Sequence, residues 1–536
     1  MTDIEIPLGK RSRKYRFFEQ LPFVLSVSLL LLPVILSFFS PVLAAIFIIT
    51  YIIVWFVKSI GMAFRTVQGY NTMLQAKRVN WRRRLAELES PGRFITQSRD
   101  KGWRHRTHIA NLKLLSQQKD APKPSQIYSA VIIAINNESR AVLQPTVEAV
   151  LHSDYDLKHL LLIVAYEERG GKVTEELARD IVKTYGSQCF YARAIRHRNN
   201  MPDEVRGKGG NIANAGHELQ QILEQKGIRP NNVIVTTLDC DNQPHPTYFA
   251  YVTYEYVVNL ERHNCSFQPI ALYLNNIWDV PAPMRVLATG NSFWTITNSL
   301  RPHLLQNFAS HSQPMSALMA VNFWSVRTVV EDGHQYWRSY FAFDGHYEVV
   351  PIYVPIYQDA VLGDTYRKTL KAQFFQVARW AYGASDIAYV VDKGFRKDRT
   401  VPLLDLTAKF LRLIDNHVSR ASASLILAFG AWAPLFINPE SSRSIVAHQL
   451  PNIASGLQQI ATIGLFITIF LTFKMLPPRP MRYKRHRNIF MLIQWVLMPV
   501  TSICYGAASA FYAQARLFSG RYLDKFAVTD KAVKSD

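Results

Sequence analysis

Residues 232–241 read Asn-Val-Ile-Val-Thr-Thr-Leu-Asp-Cys-Asp. Val233, Ile234 and Val235 form a short apolar, β-branched run, the composition of a strand buried on both faces of a parallel sheet. The run stops at Asp239 and Asp241. Carboxylates are rarely buried without a partner. Two of them at the carboxyl end of a strand, where open α/β sheets hold their ligands, make a candidate hard-oxygen site. Mg2+ or Mn2+ suits such a site, because these ions take few carboxylates and complete their shell with phosphate oxygens. The competing reading is a polar turn after a strand, since Asp-x-Asp is common by itself.

Working outward, Tyr128–Ile135 reads as a first buried strand, followed by the polar turn Asn136-Asn137-Glu138-Ser139 and a helix over 143–152. A second strand over 160–165 ends at Glu167-Glu168. A helix over 175–185 leads to a weaker strand over 190–194. Arg206-Gly207-Lys208-Gly209-Gly210-Asn211 is a glycine-rich loop before a helix over 212–225, a place where free amides and the helix dipole favour anions. Strands alternating with helices predict a mostly parallel, doubly wound α/β sheet. Residues 271–345 are mixed and aromatic-rich, with Trp278, Trp294, Trp324 and Trp337 read chiefly as core. Thr328-Val329-Val330-Glu331-Asp332 is a second apolar run ending in acids, read as a strand. A helix over 371–382 carries Gln376-Val377-Ala378-Arg379-Trp380, and 403–418 has the spacing of an interfacial helix.

The 536 residues are 49% hydrophobic and 19% charged, with a formal net charge of +21. A charge of that sign fits nucleic acid or an anionic membrane surface. The basic residues crowd beside apolar runs, so the membrane is the expected partner and nucleic acid is not. Cys189, Cys240, Cys265 and Cys504 are scattered, which indicates neither a disulfide framework nor a zinc site.

Residues 21–40 and 42–57 are almost wholly apolar and meet at Ser40-Pro41. Each approaches the roughly 20 residues that span a bilayer, so together they read as a helical hairpin. Basic residues precede it at 10–16 and follow it from Lys58 to Arg84, which sets both ends in the cytoplasm. The basic stretch 93–113 is expected against anionic headgroups. Further spans are read at 421–437 and 453–475, with 438–450 outside and 474–487 cytoplasmic. Residues 488–517 are too short for two spans of about 20 residues each. With Pro499 inside, they read as a re-entrant or interfacial hairpin returning a cytoplasmic tail. The expected division is 1–60, 61–125 (basic linker), 126–364 (catalytic), 365–420 (interfacial), 421–517 (membrane) and 518–536 (tail).

Several of these motifs, in this order, resemble the family-2 glycosyltransferases, in particular the membrane-embedded synthases of cellulose, chitin and hyaluronan. Asn137-Glu138 follows the first strand. Lys208-Gly209-Gly210-Asn211-Ile212 is similar to the Lys-Ala-Gly-Asn-Ile loop, and Asp239-Cys240-Asp241 to the metal-binding Asp-x-Asp. Glu331-Asp332 resembles Thr-Glu-Asp with valine for threonine. Gln376–Trp380 resembles Gln-x-x-Arg-Trp, and Phe526-Ala527-Val528-Thr529-Asp530-Lys531 resembles the Phe-x-Val-Thr-x-Lys gating loop. One departure is plain: the family's Asp-Asp-Gly after the second strand is replaced by Ala165-Tyr166-Glu167-Glu168, which leaves the nucleoside base open.

The resemblance implies a GT-A-type doubly wound catalytic domain inserted between transmembrane helices. It implies an inverting transfer from a nucleotide sugar, expected to be a UDP-sugar, to a growing polysaccharide, processive and coupled to translocation. Asn137, Glu138, Glu167, Lys208, Asp239, Arg379, Thr529 and Lys531 would bind the donor. Asp239 and Asp241 would hold Mg2+ or Mn2+. Gln376 and Trp380 would floor the acceptor site. Asp332, beside Glu331, would act as general base with a raised pKa. The localisation implied is the bacterial inner (plasma) membrane with a cytoplasmic catalytic domain, in contact with membrane lipids and with room for export partner proteins or a homo-oligomer. Two other readings stand beside it: single addition to a lipid-linked acceptor, and a non-catalytic membrane scaffold. The filled acidic and basic positions argue against the scaffold.

Overall fold

Four parallel strands carry the half of the sheet that the sequence marks out. In the computed structural model, which describes residues 4–118, 120–438 and 445–523, they are β1 (Tyr128–Ile135), β2 (Leu160–Glu167), β3 (Tyr191–His197) and β4 (Val233–Asp239). The rest are β5 (Gln243–Pro244), β6 (Cys265–Leu272), β7 (His311–Pro314) and β8 (Glu348–Tyr357). The order is β3-β2-β1-β4-β7-β6-β8-β5. β1 pairs in parallel with both β2 and β4, and Ala134 lies opposite Ala165 on one side and Asp239 on the other. Strand order therefore reverses about β1, and the crevice at the carboxyl ends of β1 and β4 is the topological switch point where such sheets bind ligands.

β4 also pairs antiparallel with β7, so the second half of the sheet is mixed rather than parallel. Prolines hide this half from a sequence reading. Pro269 in β6 and Pro351 and Pro355 in β8 each lack an amide hydrogen for the ladder. The register slips between Pro269 and Ile270, where Pro269 faces Ile352 and Ile270 faces Pro355, so the irregularity absorbs the missing donors.

Two expected elements take another form. The glycine-rich loop is the first turn of a helix, Lys208–Gln225, capped by Gly207. Gly209 and Gly210 are there for space. A Cβ on Gly209 would meet the Ser325 carbonyl at 2.4 Å, and one on Gly210 would meet Glu204 Oε2 at 2.7 Å. The run 328–332 is no strand: Glu331 and Asp332 open the helix Glu331–Ala342, whose positive end favours acids in its first turn.

Among the described residues, five helices are long and apolar enough to cross a membrane: Arg13–Phe39, Pro41–Lys77, Leu403–Ile437, His448–Met475 and Arg487–Ser519. Ser40 separates the first two, accepting from the Leu43 amide, and Pro41 opens the second where its missing N–H costs nothing. The second helix runs past its apolar part and buries Thr66, Gly69, Met73 and Ala76. The expected basic linker packs its apolar residues onto the sheet domain and leaves Arg93, Arg99, Lys101, Arg104, Arg106 and Lys113 exposed. Trp81 stacks on Tyr251 at 3.7 Å, and the buried His108 joins Glu87 to Tyr254. Apolar residues spaced among the basic ones, such as Leu88, Leu112 and Leu115, drive that packing. The interfacial helix expected over 403–418 is continuous with the following span as Leu403–Phe429.

Residues 487–519 form no hairpin. The backbone stays right-handed helical through a 3₁₀ turn at Gln494–Leu497 and a π segment at Ser502–Ala507, which accommodate Pro499. Both ends dock on the same body. Near the start, Arg487 donates to the Trp278 carbonyl at 2.8 Å and Arg482 pairs with Asp279 at 2.8 Å. Beyond the end, the Leu523 amide donates to the Tyr382 hydroxyl at 3.3 Å, and Arg16 caps the Leu517 and Phe518 carbonyls at 3.0 Å each. In a Cys504→Ser background, cysteines at Arg485 and Arg521 should react with an impermeant thiol reagent from the same side of sealed vesicles, and one at Phe436 from the other. Labelling of Arg485 and Arg521 from opposite sides would make this helix a true crossing.

Candidate active site

The β4 sequence delivers its two acids differently. Asp239 ends the strand with its side chain one-third exposed and pairs with Lys208 Nζ at 2.6 Å. Asp241 lies in the turn beyond and is buried. Its Oδ2 accepts from the Asp359 amide at 3.1 Å and its carbonyl accepts from Asn275 at 3.0 Å. With the Asn242 carboxamide turned to satisfy its neighbours, that group donates to Asp241 Oδ1 at 3.0 Å.

Lys208 reaches the crevice from the first turn of its helix and also donates to the Ala309 carbonyl at 3.2 Å. Burial alone would lower its pKa, but Asp239, Glu331 and Asp332 outweigh that and raise it, so it stays an ammonium. Glu331 is 2% exposed, and its Oε2 has no hydrogen-bond partner among the described residues. Burial, and then the neighbouring Asp332, push its pKa up to about 7, against the pull of Lys208 and Arg379. Asp332 is half-buried, with Oδ1 accepting from the Gly333 amide at 2.8 Å. Behind them His311 donates to the Phe308 carbonyl, and burial lowers its pKa to about 4, so it is a neutral packing group.

Gln376, Arg379 and Trp380 lie on the helix Tyr366–Ala381, begun by the Thr365 cap. Arg379 is within electrostatic reach of Glu331 and of Tyr273. Trp380 lies with its ring centroid 6.4 Å from that of Tyr273. Gln376 accepts from Gln373 at 3.1 Å. Tyr273, just past β6, was not foreseen. Burial, Asp239, Asp241 and Asp332 all raise its pKa, while Arg379 lowers it, so this phenol stands among the acids. Asp359 and Asn275 were also missed. Asp359 follows an apolar run ending at β8, a pattern like that of β4, but the prolines in β8 obscured it.

The remaining expected donor residues sit at neighbouring strand ends rather than in the acid cluster. Glu138 turns back to accept from the Asn136 and Asn137 amides at 2.7 and 3.2 Å, and Asn137 is exposed. Glu167 accepts from Arg169 and meets His197 Nδ1, both at 3.1 Å, and His197 Nε2 meets Glu204 at 3.0 Å. Burial would lower the His197 pKa, but the two carboxylates lift it to about 9, so an imidazolium stands beside β2. Thr529 and Lys531 lie outside the described residues.

No protein family and no curated protein matches the chain in sequence. Among solved structures, it is similar to a mannosyltransferase from Pyrobaculum calidifontis in complex with GDP-Man and Mn2+, at 14% identity and TM-score 0.41, over 86% of this chain and 100% of that one. It is similar to residues 1–349 of TarS from S. aureus at 10% identity and TM-score 0.33, over 63% and 90% of the two chains. A third similarity is to glucosyl-3-phosphoglycerate synthase from Mycobacterium tuberculosis with Mg2+ and UDP, at 13% identity and TM-score 0.29, over 52% and 81%.

The Glu331 geometry has a measurable consequence. Its folded pKa of about 7 exceeds the ordinary 4.5. The folded protein therefore holds a proton that the unfolded chain has released between those values, and stability falls as pH rises through that window. Glu331→Gln removes the titration. The unfolding temperature of the wild type should drop relative to Glu331→Gln between pH 5 and pH 7.5; parallel curves would show that Glu331 is not held neutral.

Proposed function

We propose that the chain is an inverting membrane glycosyltransferase that moves a sugar from a nucleotide-sugar donor, a UDP-sugar, to a growing polysaccharide, processively and with translocation across the membrane. The observation that carries the reading is the convergence of Asp239, Asp241, Lys208, Glu331, Asp332 and Arg379 at the switch point of a parallel sheet. Among the described residues no three His, Cys, Asp or Glu side chains form a metal cage. Two carboxylates with substrate oxygens completing the shell suit Mg2+ or Mn2+, and the buried Asp241, held by amides, is a fitting ligand with Asp239 beside it. Such an ion, when bound, offsets the charge that develops on the departing diphosphate.

The side chains then divide the remaining work. Lys208 and Arg379 are cations aimed at the crevice and would stabilise the leaving diphosphate. Asp332 is half-buried and reachable, so it would take the proton from the acceptor hydroxyl. Glu331 is buried behind it and would tune its basicity. One base and one displacement invert the anomeric carbon. Trp380 and Tyr273 supply an aromatic floor for the acceptor sugar, and Gln376 a polar edge. Asn137, Glu138 and Glu167 would meet the nucleoside at the ends of β1 and β2. Single addition to a lipid-linked acceptor is the second reading, favoured by a cavity between the helices Pro41–Lys77 and Ile445–Met475 that is lined by Phe56 and Phe64 at one end and by Asn71 and Gln75 at the other.

Asp241→Asn should lower transfer at least about 100-fold, the scale of losing one transition-state contact, in a protein that still unfolds cooperatively. The assay incubates the purified protein with a panel of nucleotide sugars and Mg2+ or Mn2+ and sizes the product. Activity that survives both the substitution and a chelator would sink the metal assignment.

The tail motif at 526–531 begins three residues past Leu523, whose amide sits on Tyr382, itself two residues past Trp380. By the resemblance, Thr529 and Lys531, which lie outside the described residues, would bind the donor diphosphate. Truncation after Leu523 should cut turnover sharply while metal-dependent nucleotide binding is weakened but retained. Wild-type turnover in the truncated protein would leave the tail no part in the chemistry.

A further inference from the structure

The helix Pro41–Lys77 presents one stripe to a cavity of about 710 Å³, closed on its other side by the helix Ile445–Met475. The stripe changes character along its length. At one end Phe56, Ile60 and Phe64 face Ile460 and Ile467. At the other end the lining turns to Gln68, Asn71, Thr72 and Gln75. From Phe56 to Gln75 the helix rises about 28 Å, from the end of its apolar part to the sheet domain that buries Met73 and Ala76. Phe64 is 73% exposed and Ile460 53%, so the apolar end is open to its surroundings.

No Lys, Arg, Asp or Glu lines the cavity among the described residues. Its polar end consists of carboxamides and a hydroxyl, groups that both donate and accept hydrogen bonds without charge. That chemistry matches sugar hydroxyls. It gives a phosphate no cation to pair with, and an unpaired charge would be costly to bury there.

The groove is also directed. Beside its polar end, Thr66 meets Thr297 at 3.1 Å and Met73 is buried against the sheet domain. Two residues past Gln75, Lys77 donates to the Tyr357 hydroxyl at 3.1 Å. Tyr357 ends β8, and two residues later the Asp359 amide donates to Asp241. The polar end therefore leads toward the acid cluster.

We propose that this groove binds an uncharged glycolipid from the bilayer, hydrocarbon chain between the two helices and polyhydroxylated head at Asn71 and Gln75, with the head directed to Asp241. Binding is independent of the transferase reading; only the use of the bound lipid as acceptor rests on it.

The test uses the full-length protein in phosphatidylcholine nanodiscs with three diazirine-tailed probes sharing one hydrocarbon chain: a glucosyl diacylglycerol, a phosphate-linked glucolipid and phosphatidylcholine. The glucosyl diacylglycerol should label peptides within 56–75 about fivefold more than phosphatidylcholine, the factor one net hydrogen bond supplies. Asn71→Leu with Gln75→Leu should erase that preference and leave tail labelling. Ile60→Trp, which fills the apolar end, should erase both. Equal labelling by glucosyl diacylglycerol and phosphatidylcholine would mean annular lipid only, and stronger labelling by the phosphate-linked probe would mean an anionic ligand; either overturns the proposal. Metal-dependent nucleotide binding measured on the same samples separates the two readings. Its loss in the wild type would count against the transferase, not against the groove.

Discussion

Lys208 and Asp239 meet at 2.6 Å at the carboxyl edge of the sheet, and the surrounding side chains are arranged around the charge problem this pair only partly solves. Asp239, Asp241, Glu331 and Asp332 converge where Lys208 and Arg379 are the nearby cations. Like charges at short range in a desolvated crevice repel strongly. The protein answers in three ways. Lys208 is held protonated by its neighbours, Glu331 is held neutral up to about pH 7, and Asp241 is met by amide donors. An added divalent cation would relieve the same excess of negative charge.

The sheet explains how distant parts of the chain reach this point. β4 is the seam between the parallel half and the mixed half, pairing with β1 on one side and β7 on the other. Lys208 comes from the parallel half, from the helix before β4. Tyr273, Asp359 and the Glu331–Ala342 helix come from the mixed half. Gly209 lets these two halves close, because the Ser325 carbonyl and Glu331 side chain press on it, while Gly210 makes room for Glu204 and His197 within the parallel half. The ends of β2 and β3 and the loops after them carry a separate polar cluster, Arg169–Glu167–His197–Glu204, in which an imidazolium holds two carboxylates. It stands at the position where the resembled family has Asp-Asp-Gly, with a different charge pattern.

Apolar helices are tied to this chemistry by continuous backbone rather than by flexible linkers. Pro41–Lys77 passes from an apolar half into a half buried against the sheet domain, ending on Tyr357. The helix bearing Gln376 and Trp380 packs through Phe374 and Phe375 on Tyr512 of the last helix. That helix is in turn capped by Arg16, next to the buried Glu19 of the first.

The strands β1, β2 and β4, with one acid ending β4 and one just past it, were legible in sequence because a central parallel strand is a near-continuous apolar run and its polar terminus stands out against it. The apolar helices were legible for the same reason at greater length. The sequence also determined that Gln376, Arg379 and Trp380 share one helix, whereas the glycine-rich stretch it marks as a loop before residue 212 is itself the first turn of a helix opened by Lys208. Three things were decided only by tertiary structure. β6 and β8 carry prolines that read as breakers, and only their pairing shows that a register slip removes the conflict. Residues 487–519 have a proline and small residues compatible with a hairpin, and only docking at both ends selects one irregular helix. The raised pKa expected from the 328–332 run belongs to Glu331, because burial is a property of the folded environment and not of position along the chain. Local pattern sets which residues can be buried, whereas packing between distant segments sets which of them are, and that second choice makes the site.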